Sequence, residues 1–227
     1  MTERETPSVD GLVIGILGGT GDQGRGLARR FALAGHQVII GSRSSERAAA
    51  AAREIGHGVQ GLANADAARG ASVIIAAVPW EGHGDLLSAL AGELAGKIVV
   101  DCVNPLGFDQ RGAYALPVAE GGPAEGSAAQ QAAALLPGSR VVAAFHHVSA
   151  VLLLDPEVDT IDLDVLVLGD DREATDLVQA LAARIPGVRG IYAGRLRNCG
   201  QIEALTANLV SINRRYKAHA GLRVTDI

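Results

Sequence analysis

A glycine-rich segment carries the clearest chemistry in this chain of 227 residues. Residues 19–24 fit G-x-G-x-x-G, directly after an apolar run and at the start of a helix-like stretch, which is the context this motif needs. Gly19 permits a tight turn, Gly21 lets the backbone approach a pyrophosphate, and Gly24 lets helix and strand pack closely. Free N–H groups at the helix N-terminus attract phosphate, and Thr20 adds a hydroxyl donor. The segment predicts a dinucleotide-binding loop.

The residues after the second apolar run indicate which dinucleotide binds. NAD-binding loops place an Asp or Glu roughly 20 residues downstream to accept hydrogen bonds from the ribose 2′-hydroxyl. Here Ser42 and Arg43 stand instead, and they would donate to a 2′-phosphate that a carboxylate would repel. Arg47 follows one helical turn later, so it can face the same phosphate, while Glu46 turns away. The pattern favours NADP(H); two solvated surface arginines are the alternative.

Polar residues also follow the next predicted strand. The only tryptophan, Trp80, comes directly after Pro79 and either lines the cofactor groove or packs against the next helix. Glu81 is expected to cap that helix, and His83 is expected to lie at the surface. Neither is assigned a catalytic role.

Two later strand ends offer further candidates. Asn104 or its backbone is placed to touch the nicotinamide side. His146 and His147 are adjacent, so their side chains diverge and at most one is expected to face the site, as a proton donor or ligand contact. A structural role for both is the alternative. Zinc is disfavoured because no third ligand lies nearby.

Apolar runs alternate with helix-like stretches, and these elements must position the candidates. Strands are predicted at 12–17, 37–41, 72–78, 97–103, 140–145, 165–171 and 187–193, and helices at 22–34, 45–55, 171–185 and 198–220. Ser44 can cap the second helix, which Gly56 ends. The alternation predicts a Rossmann-like, doubly wound α/β fold with a mainly parallel sheet and a small C-terminal helical lobe. Ligands of such sheets bind beyond the carboxyl ends of the strands.

Composition narrows the function further. The net charge of −5 argues against a nucleic-acid partner. No apolar run reaches membrane-spanning length and residues 1–10, expected to be a loose tail, lack a signal-peptide core, so no membrane partner and a cytoplasmic location are expected. Cys102 and Cys199 are expected to be buried thiols, and no metal site is predicted. The acidic segment 154–164 is expected to be an exposed loop.

Several segments, in order along the chain, resemble the NADPH-dependent reductases of coenzyme F420, or F420:NADP oxidoreductases. The similarity rests on residues 15–52, 76–83, 97–106, 141–150 and 203–206. The resemblance implies NADP(H) contacts at Thr20, Gly21, Asp22, Gln23, Ser42, Arg43, Arg47, Trp80, Gly84, Leu106 and Ala150. Gly84 replaces the aliphatic residue of the family pattern, which leaves that contact to the backbone or removes it. The segment near 221–222 also departs from the pattern.

The resemblance further implies hydride transfer between the nicotinamide C4 and the deazaflavin C5 of F420 as second substrate. Residues 10–160 would form the NADP(H)-binding domain, and 161–227 a smaller strand-helix portion that completes the deazaflavin site. Val148 would pack near the nicotinamide and set the ring spacing, and His146 or water would supply the proton. Arginines are expected to meet the anionic deazaflavin tail, namely Arg197, Arg214, Arg215 and Arg223. A homodimer through the C-terminal helix is also implied.

Two other functions remain open from the residues alone. The chain could be an NADP(H)-sensing binding protein, or an NADPH-dependent reductase of an imine, a flavin or a quinone-like acceptor. Short-chain dehydrogenase chemistry fits poorly, because that family's proton-transfer motif is Tyr-x-x-x-Lys. The chain has three tyrosines, and none of them has that lysine.

Overall fold

A computed structural model gives the architecture of residues 7–227. The strands are β1 (Val13–Leu17), β2 (Gln37–Ser42), β3 (Gln60–Ala63), β4 (Val73–Ala76), β5 (Ile98–Asp101), β6 (Leu106–Asp109), β7 (Gly112–Ala115), β8 (Arg140–Ala143), β9 (Leu163–Gly169) and β10 (Val188–Gly194). The helices are α1 (Asp22–Leu33), α2 (Ser45–Ile55), α3 (Asn64–Gly70), α4 (His83–Ala89), α5 (Ala91–Leu94), α6 (Ala128–Leu135), α7 (Ala150–Leu154), α8 (Arg172–Ala182) and α9 (Cys199–Tyr216).

Eight strands form one sheet in the order β10-β9-β8-β5-β4-β1-β2-β3. All neighbouring pairs are parallel except β8 and β9, which run antiparallel. The carboxyl ends of β1, β2, β3, β4, β5 and β8 therefore meet at one edge, whereas β9 and β10 point the other way. The predicted Rossmann-like α/β fold with a mainly parallel sheet is confirmed, and the edge where six strands end positions the site.

Helices cover both faces of this sheet, as a doubly wound fold requires. Consecutive β4 residues Ile74 and Ile75 are fully buried in separate hydrophobic cores, one on each face. On one face, α1 buries Leu27 and Phe31 completely. Each such side chain stabilises the fold by about 1.5–3 kcal/mol relative to an exposed position. The central strands are thus held rigidly behind the site.

Helix α2 begins and ends at the residues that the sequence predicts, Ser44 and Gly56. The Ser44 hydroxyl accepts the backbone N–H of Arg47 at 3.2 Å, which confirms the predicted cap. Gly56 has a positive φ of 74° just after Ile55, so a residue with a Cβ would be strained there. These local signals fix where α2 starts beside the strand end of β2.

Strand β3 and the hairpin of β6 and β7 did not follow from the sequence. The β3 segment has no apolar run, and its pairing comes from the edge of β2, with Gly41 opposite Leu62. Gly61 must be a glycine, because a Cβ there would lie 2.2 Å from the backbone of Ala48 in α2. Both elements depend on tertiary contacts that leave little trace in a local pattern.

Part of the predicted N-terminal tail belongs to the core. Residues 1–6 of this tail lie outside the described residues, but Val9 is 4% exposed and packs in the core.

The division of the chain into two domains stays a prediction. The ranges 10–160 and 161–227 both contribute strands to the same sheet. Among residues 7–227, none of the helices has the length and apolar character needed to cross a membrane.

Candidate functional site

The glycine-rich turn connects β1 to α1 at the carboxyl edge of the sheet. The left-handed residue is Gly18, with φ of 69°, rather than Gly19, which was expected to make the tight turn. Gly19 is required for another reason, since a Cβ there would lie 2.7 Å from Cβ of Ile40. A Cβ on Gly24 would lie 2.7 Å from Cα of Gly19, as expected for close helix–strand packing.

The next glycine leaves room for a ligand. A Cβ on Gly21 would meet only the Gly18 carbonyl oxygen, at 3.8 Å, so the space above this backbone is open. Gly21 is also the N-cap of α1, and no side chain caps the helix there. The first N–H groups of α1 therefore face a cleft of about 790 Å3, in the arrangement that binds phosphate groups.

Ser42, Arg43 and Arg47 line the same cleft. Ser42 is 6% exposed, and its hydroxyl accepts the Ser44 N–H at 3.4 Å, so the hydroxyl hydrogen stays available. Neither arginine takes part in a salt bridge with any side chain of residues 7–227. Glu46 is held by the Ser44 hydroxyl at 2.7 Å and does not line the cleft. The structure therefore brings the predicted donors Ser42, Arg43 and Arg47 together, and Glu46 is not among them.

A second cleft of about 460 Å3 continues from the first along the sheet edge. Its lining residues include Gly21, Asp22, Gln23, Val78, Pro79, Trp80, Cys102, Val103, Asn104, Leu106, Phe108 and His146. The two clefts share Gly21, Val78 and Pro79, so they form one groove. Gln23 donates from Nε2 to the Phe145 carbonyl at 3.2 Å and so ties the glycine turn to the turn after β8. The groove therefore extends across the carboxyl ends of β1, β2, β4, β5 and β8.

The turn after β8 is strained and buried. Phe145 has a φ of 63°, an uncommon conformation for a large side chain and one that is often kept at functional sites. Asn104 donates from Nδ2 to the His146 carbonyl at 2.8 Å, and the Thr206 hydroxyl of α9 lies 3.4 Å from Asn104 Oδ1 and from the same carbonyl. Helix α9 is therefore attached directly to the far end of the groove.

His146 and His147 are 4% and 6% exposed, and none of their ring nitrogens has a hydrogen-bond partner among residues 7–227. Burial lowers the pKa of each imidazole to about 4, because the charged form is poorly solvated there. Both rings are neutral at neutral pH. Only His146 lines the groove, in agreement with the expectation that at most one faces the site.

Five other predicted residues lie at the margin of the groove or outside it. Trp80 and Leu106 line both the second cleft and a side cleft of about 660 Å3, while Gly84 lines only the side cleft. A Cβ on Gly84 would lie 3.2 Å from Oε1 of Gln131. Ala150 is the first residue of α7 and lines none of these clefts. Val148 also lines none of them; it is 5% exposed and belongs to the core.

The sequence missed a buried polar cluster behind the second cleft. His83 was expected at the surface, but its side chain is fully buried, with Nε2 2.6 Å from Asp101 Oδ2 and Nδ1 3.0 Å from Gln131 Oε1. Burial alone would lower the pKa of His83, but the charge and hydrogen bond of Asp101 raise it above its ordinary value. Glu81 does not cap α4, whose N-cap is Gly82 without a side-chain bond. The one sequence signal for this buried cluster was Asp101, an aspartate within the apolar run of β5.

Glu203 of α9 is a second buried acid near this cluster. Its two carboxylate oxygens accept the N–H groups of Ala128 at 2.8 Å and Ala129 at 3.2 Å, at the start of α6. Burial raises the pKa of Glu203 to about 7, with the charge of Asp101 acting in the same direction and the two N–H bonds acting against it. Cys102 and Cys199 are buried free thiols, as expected.

The acidic segment 154–164 is not wholly an exposed loop, because its last residue, Asp164, is buried in β9. The Asp164 carboxylate accepts two bonds of 2.7 Å from Arg189, one of 2.8 Å from Arg223 and the N–H of Val224 at 2.6 Å. These donors, Arg189 first, hold the pKa of Asp164 far below its usual range. Arg223 was expected to bind the anionic tail of the deazaflavin, but it is already paired with Asp164.

No cluster of three or more His, Cys, Asp or Glu side chains that could hold a metal ion occurs within the part of the chain that the structure describes. The groove combines hydrogen-bond donors, a neutral imidazole, apolar walls and the carboxylates of Asp22, Glu81 and Asp85. Such a site can bind and orient ligands, and burial raises the pKa of both thiols, which makes them poor nucleophiles.

Comparisons with known proteins agree with this geometry. Residues 13–105 match the family model described as coenzyme F420-dependent NADP oxidoreductase. The chain is 40% identical over 226 residues to the F420-dependent NADP reductase of Methanothermobacter marburgensis, covering 95% of this chain and 99% of that protein. Its counterpart in Methanocaldococcus jannaschii is 40% identical over 229 residues, with the same coverage of both chains. The crystal structure of a putative F420-dependent NADP reductase from an Arthrobacter species superposes with a TM-score of 0.81 at 28% identity, covering 95% of this chain and 100% of that one.

Proposed function

Because this chain belongs to the family of coenzyme F420-dependent NADP oxidoreductases, we propose that its groove binds NADP(H) and receives F420 at the far end. The reaction is hydride transfer between NADP(H) and the deazaflavin. The observation that carries the assignment of the groove is the acid-free cluster of Ser42, Arg43 and Arg47. This cluster stands at one end of a continuous groove, and His146 stands at the other.

The residues that would hold NADP(H) follow the groove. Ser42, Arg43 and Arg47 would bind the 2′-phosphate through charge-assisted hydrogen bonds. The open backbone at Gly21 and the uncapped start of α1 would bind the pyrophosphate. The remaining proposed contacts are Gly19, Thr20, Asp22, Gln23, Gly24, Trp80 and Leu106, with Gly84 at the margin of the groove and Ala150 outside its lining.

When both substrates are bound, the two ring systems supply the chemistry, and the protein supplies proximity and orientation. The turn at 145–150 and helix α9 would receive the deazaflavin, since Thr206 joins them. Val148 is a buried residue of this turn and would set the spacing of the rings. His146 would contact the ligands as a neutral imidazole, and water would deliver the proton that the reduced deazaflavin needs, because the pKa of His146 is about 4.

A direct assay tests the activity. Purified protein is mixed with NADPH and oxidised F420, and the loss of the deazaflavin absorbance band is followed, with FMN replacing F420 as the control. We expect bleaching with F420 and none with FMN. Bleaching of FMN alone would favour a general flavin reductase. NADPH binding without oxidation in either mixture would favour an NADP(H)-sensing protein.

We also infer a homodimer through α9 and a cytoplasmic location. Ile212 and Tyr216 of α9 are 40% and 73% exposed, which leaves apolar surface for a second copy. Both cysteines are free thiols, as is usual in a reducing compartment. Light scattering coupled to gel filtration would measure the mass of the assembly. A monomer at micromolar concentration would contradict the dimer.

A further inference from the structure

The buried pair of His83 and Asp101 lies behind the second cleft and joins two of its walls. One wall contains Pro79, Trp80 and Glu81, and the other contains residues 102–104. Neither His83 nor Asp101 lines the groove itself, and both side chains are 0% exposed. The pair therefore acts on bound ligands only through these walls.

Asp101 holds both walls with one carboxylate. Its Oδ1 accepts the Val103 N–H at 3.0 Å, which fixes the turn that carries Val103 and Asn104. Its Oδ2 lies 2.6 Å from Nε2 of His83, the first residue of α4. The backbone immediately before His83 is the wall that carries Trp80. A bond at each oxygen thus fixes the distance between the two walls.

His83 is held from two further sides. Its Nδ1 lies 3.0 Å from Gln131 Oε1 in α6, and its ring lies 5.5 Å from the indole of Trp80 at an interplanar angle of 30°. The Trp80 indole N–H donates to the Gly121 carbonyl at 2.7 Å, so the indole is fixed at its other edge too. The Trp80 wall therefore has few ways to relax while the His83 bonds persist.

We propose that His83 is a positioning residue for hydride transfer, because its bond to Asp101 sets the width of the nicotinamide end of the groove. Reaction between two rings requires near-contact distance, and small displacements cost large factors in rate. The proposal rests on the proposed function for the identity of the reaction. The Trp80 wall continues into the first cleft through Pro79 and Glu81, but the bonds of His83 and Asp101 do not involve the 2′-phosphate cluster of Ser42, Arg43 and Arg47.

Replacement of the histidine tests the proposal. His83→Leu removes both bonds, while His83→Gln keeps a side-chain N–H that can reach Asp101. Ser88→Ala, an exposed position of the same helix, is the matched control. Single-turnover hydride transfer, the affinity for NADP+ and the affinity for 2′,5′-ADP are measured for each variant, together with the emission of Trp80, the only tryptophan.

In His83→Leu we expect hydride transfer to slow at least tenfold, NADP+ to bind more weakly, and the Trp80 emission to shift. The affinity for 2′,5′-ADP should stay within twofold of the wild type, since the 2′-phosphate would be held by Ser42, Arg43 and Arg47, which lie outside the bonds of His83 and Asp101. His83→Gln should recover part of the rate, and Ser88→Ala should match the wild type. An unchanged rate, an equal loss of 2′,5′-ADP affinity, or a His83→Gln variant as slow as His83→Leu would overturn the proposal.

A second variant covers the case in which His83→Leu does not fold. Asp101→Asn keeps the volume and an oxygen for the Val103 N–H but removes the charge opposite His83. It should show the same pattern with a smaller loss of rate, and a wild-type rate would overturn the proposal. If wild-type protein does not reduce F420, the proposed function fails, whereas NADP+ affinity and Trp80 emission still test the coupling of the walls.

Discussion

At the residue scale, the proposed choice of NADP(H) depends on arginines that have no salt-bridge partner among residues 7–227. Arg43 and Arg47 are exposed at the cleft, so a phosphate would not have to displace a carboxylate. The bond from Ser44 to Glu46 holds the acid that is nearest to them in sequence. This cluster was predictable because its residues are neighbours in sequence. The contact of His83 with Asp101 was not, because local patterns do not report burial of polar side chains.

Replacing both Arg43 and Arg47 with Ala should weaken NADP+ binding by roughly 2 kcal/mol, about thirtyfold, after allowance for solvent screening at these exposed sites. The affinity for NAD+ should barely change, because NAD+ has no 2′-phosphate. Arg53→Ala, an exposed arginine in the last turn of the same helix, is the control for the loss of charge. Calorimetric titration measures all three proteins, and an equal loss for both cofactors would contradict the 2′-phosphate site.

His146 should not be the titrating group of the reaction near neutral pH. Its pKa of about 4 leaves the imidazole unprotonated from pH 6 to 8. His146→Gln should therefore leave the shape of the pH profile of hydride transfer unchanged in that range, even if the rate falls. The measurement is single-turnover kinetics across the range for both proteins. Loss of an inflection that the wild type shows would instead assign the proton transfer to His146.

At the element scale, the strands with strong apolar runs were predictable and the weak ones were not. β1 and β5 each bury nearly all their residues in the sheet centre, so their sequences are apolar. β3 is largely half-exposed, and its ladder depends on the edge of β2. The contact between β9 and the C-terminal tail, residues 217–227, was not predictable either. In the sequence, Asp164 is one of several acids in segment 154–164, and only the fold brings Arg189 and Arg223 next to it.

Asp164→Asn should release the C-terminal tail from β9. The carboxylate accepts bonds from Arg189, Arg223 and the Val224 N–H, and the amide can replace only part of them. We expect a loss on the order of 2 kcal/mol in the free energy of unfolding, because the arginines themselves stay partly exposed. Urea unfolding measures the loss, and limited proteolysis should cleave the tail faster. Asp162→Asn, at an exposed carboxylate that pairs with Arg223, is the matched control.

At the scale of the whole molecule, the two buried histidines and the buried Glu203 change the pH dependence of the free energy of unfolding in opposite directions. His146 and His147 have pKa values of about 4 in the folded protein, so the unfolded chain binds more protons between pH 4 and 6.5 and stability falls as the pH falls. Glu203 has a pKa of about 7 when folded, so it keeps a proton that the unfolded chain releases, and its effect has the opposite sign. The raised pKa of His83 affects the free energy of unfolding only above about pH 6.5.

Replacing Glu203 with Gln should therefore steepen the loss of stability in acid. From pH 6.5 to 5, the two histidines minus the one carboxyl contribute a slope of roughly 1 kcal/mol per pH unit in the wild type, and removal of the carboxyl should raise this contribution to roughly 2. Urea unfolding at several pH values measures the slope, which does not depend on any constant cost of the substitution. A slope that is unchanged or shallower would contradict the account of Glu203.

Transfer of isotope from NADPH to F420 tests the central claim most directly. NADPH carrying deuterium on one or the other face of C4 is oxidised by the protein with F420 in ordinary water, and the reduced deazaflavin is analysed by mass spectrometry. Direct hydride transfer in the groove predicts that one of the two labelled forms places deuterium at C5. Reduced deazaflavin without deuterium from either form would mean that the hydrogen comes from solvent, and would contradict a groove that holds the two rings face to face.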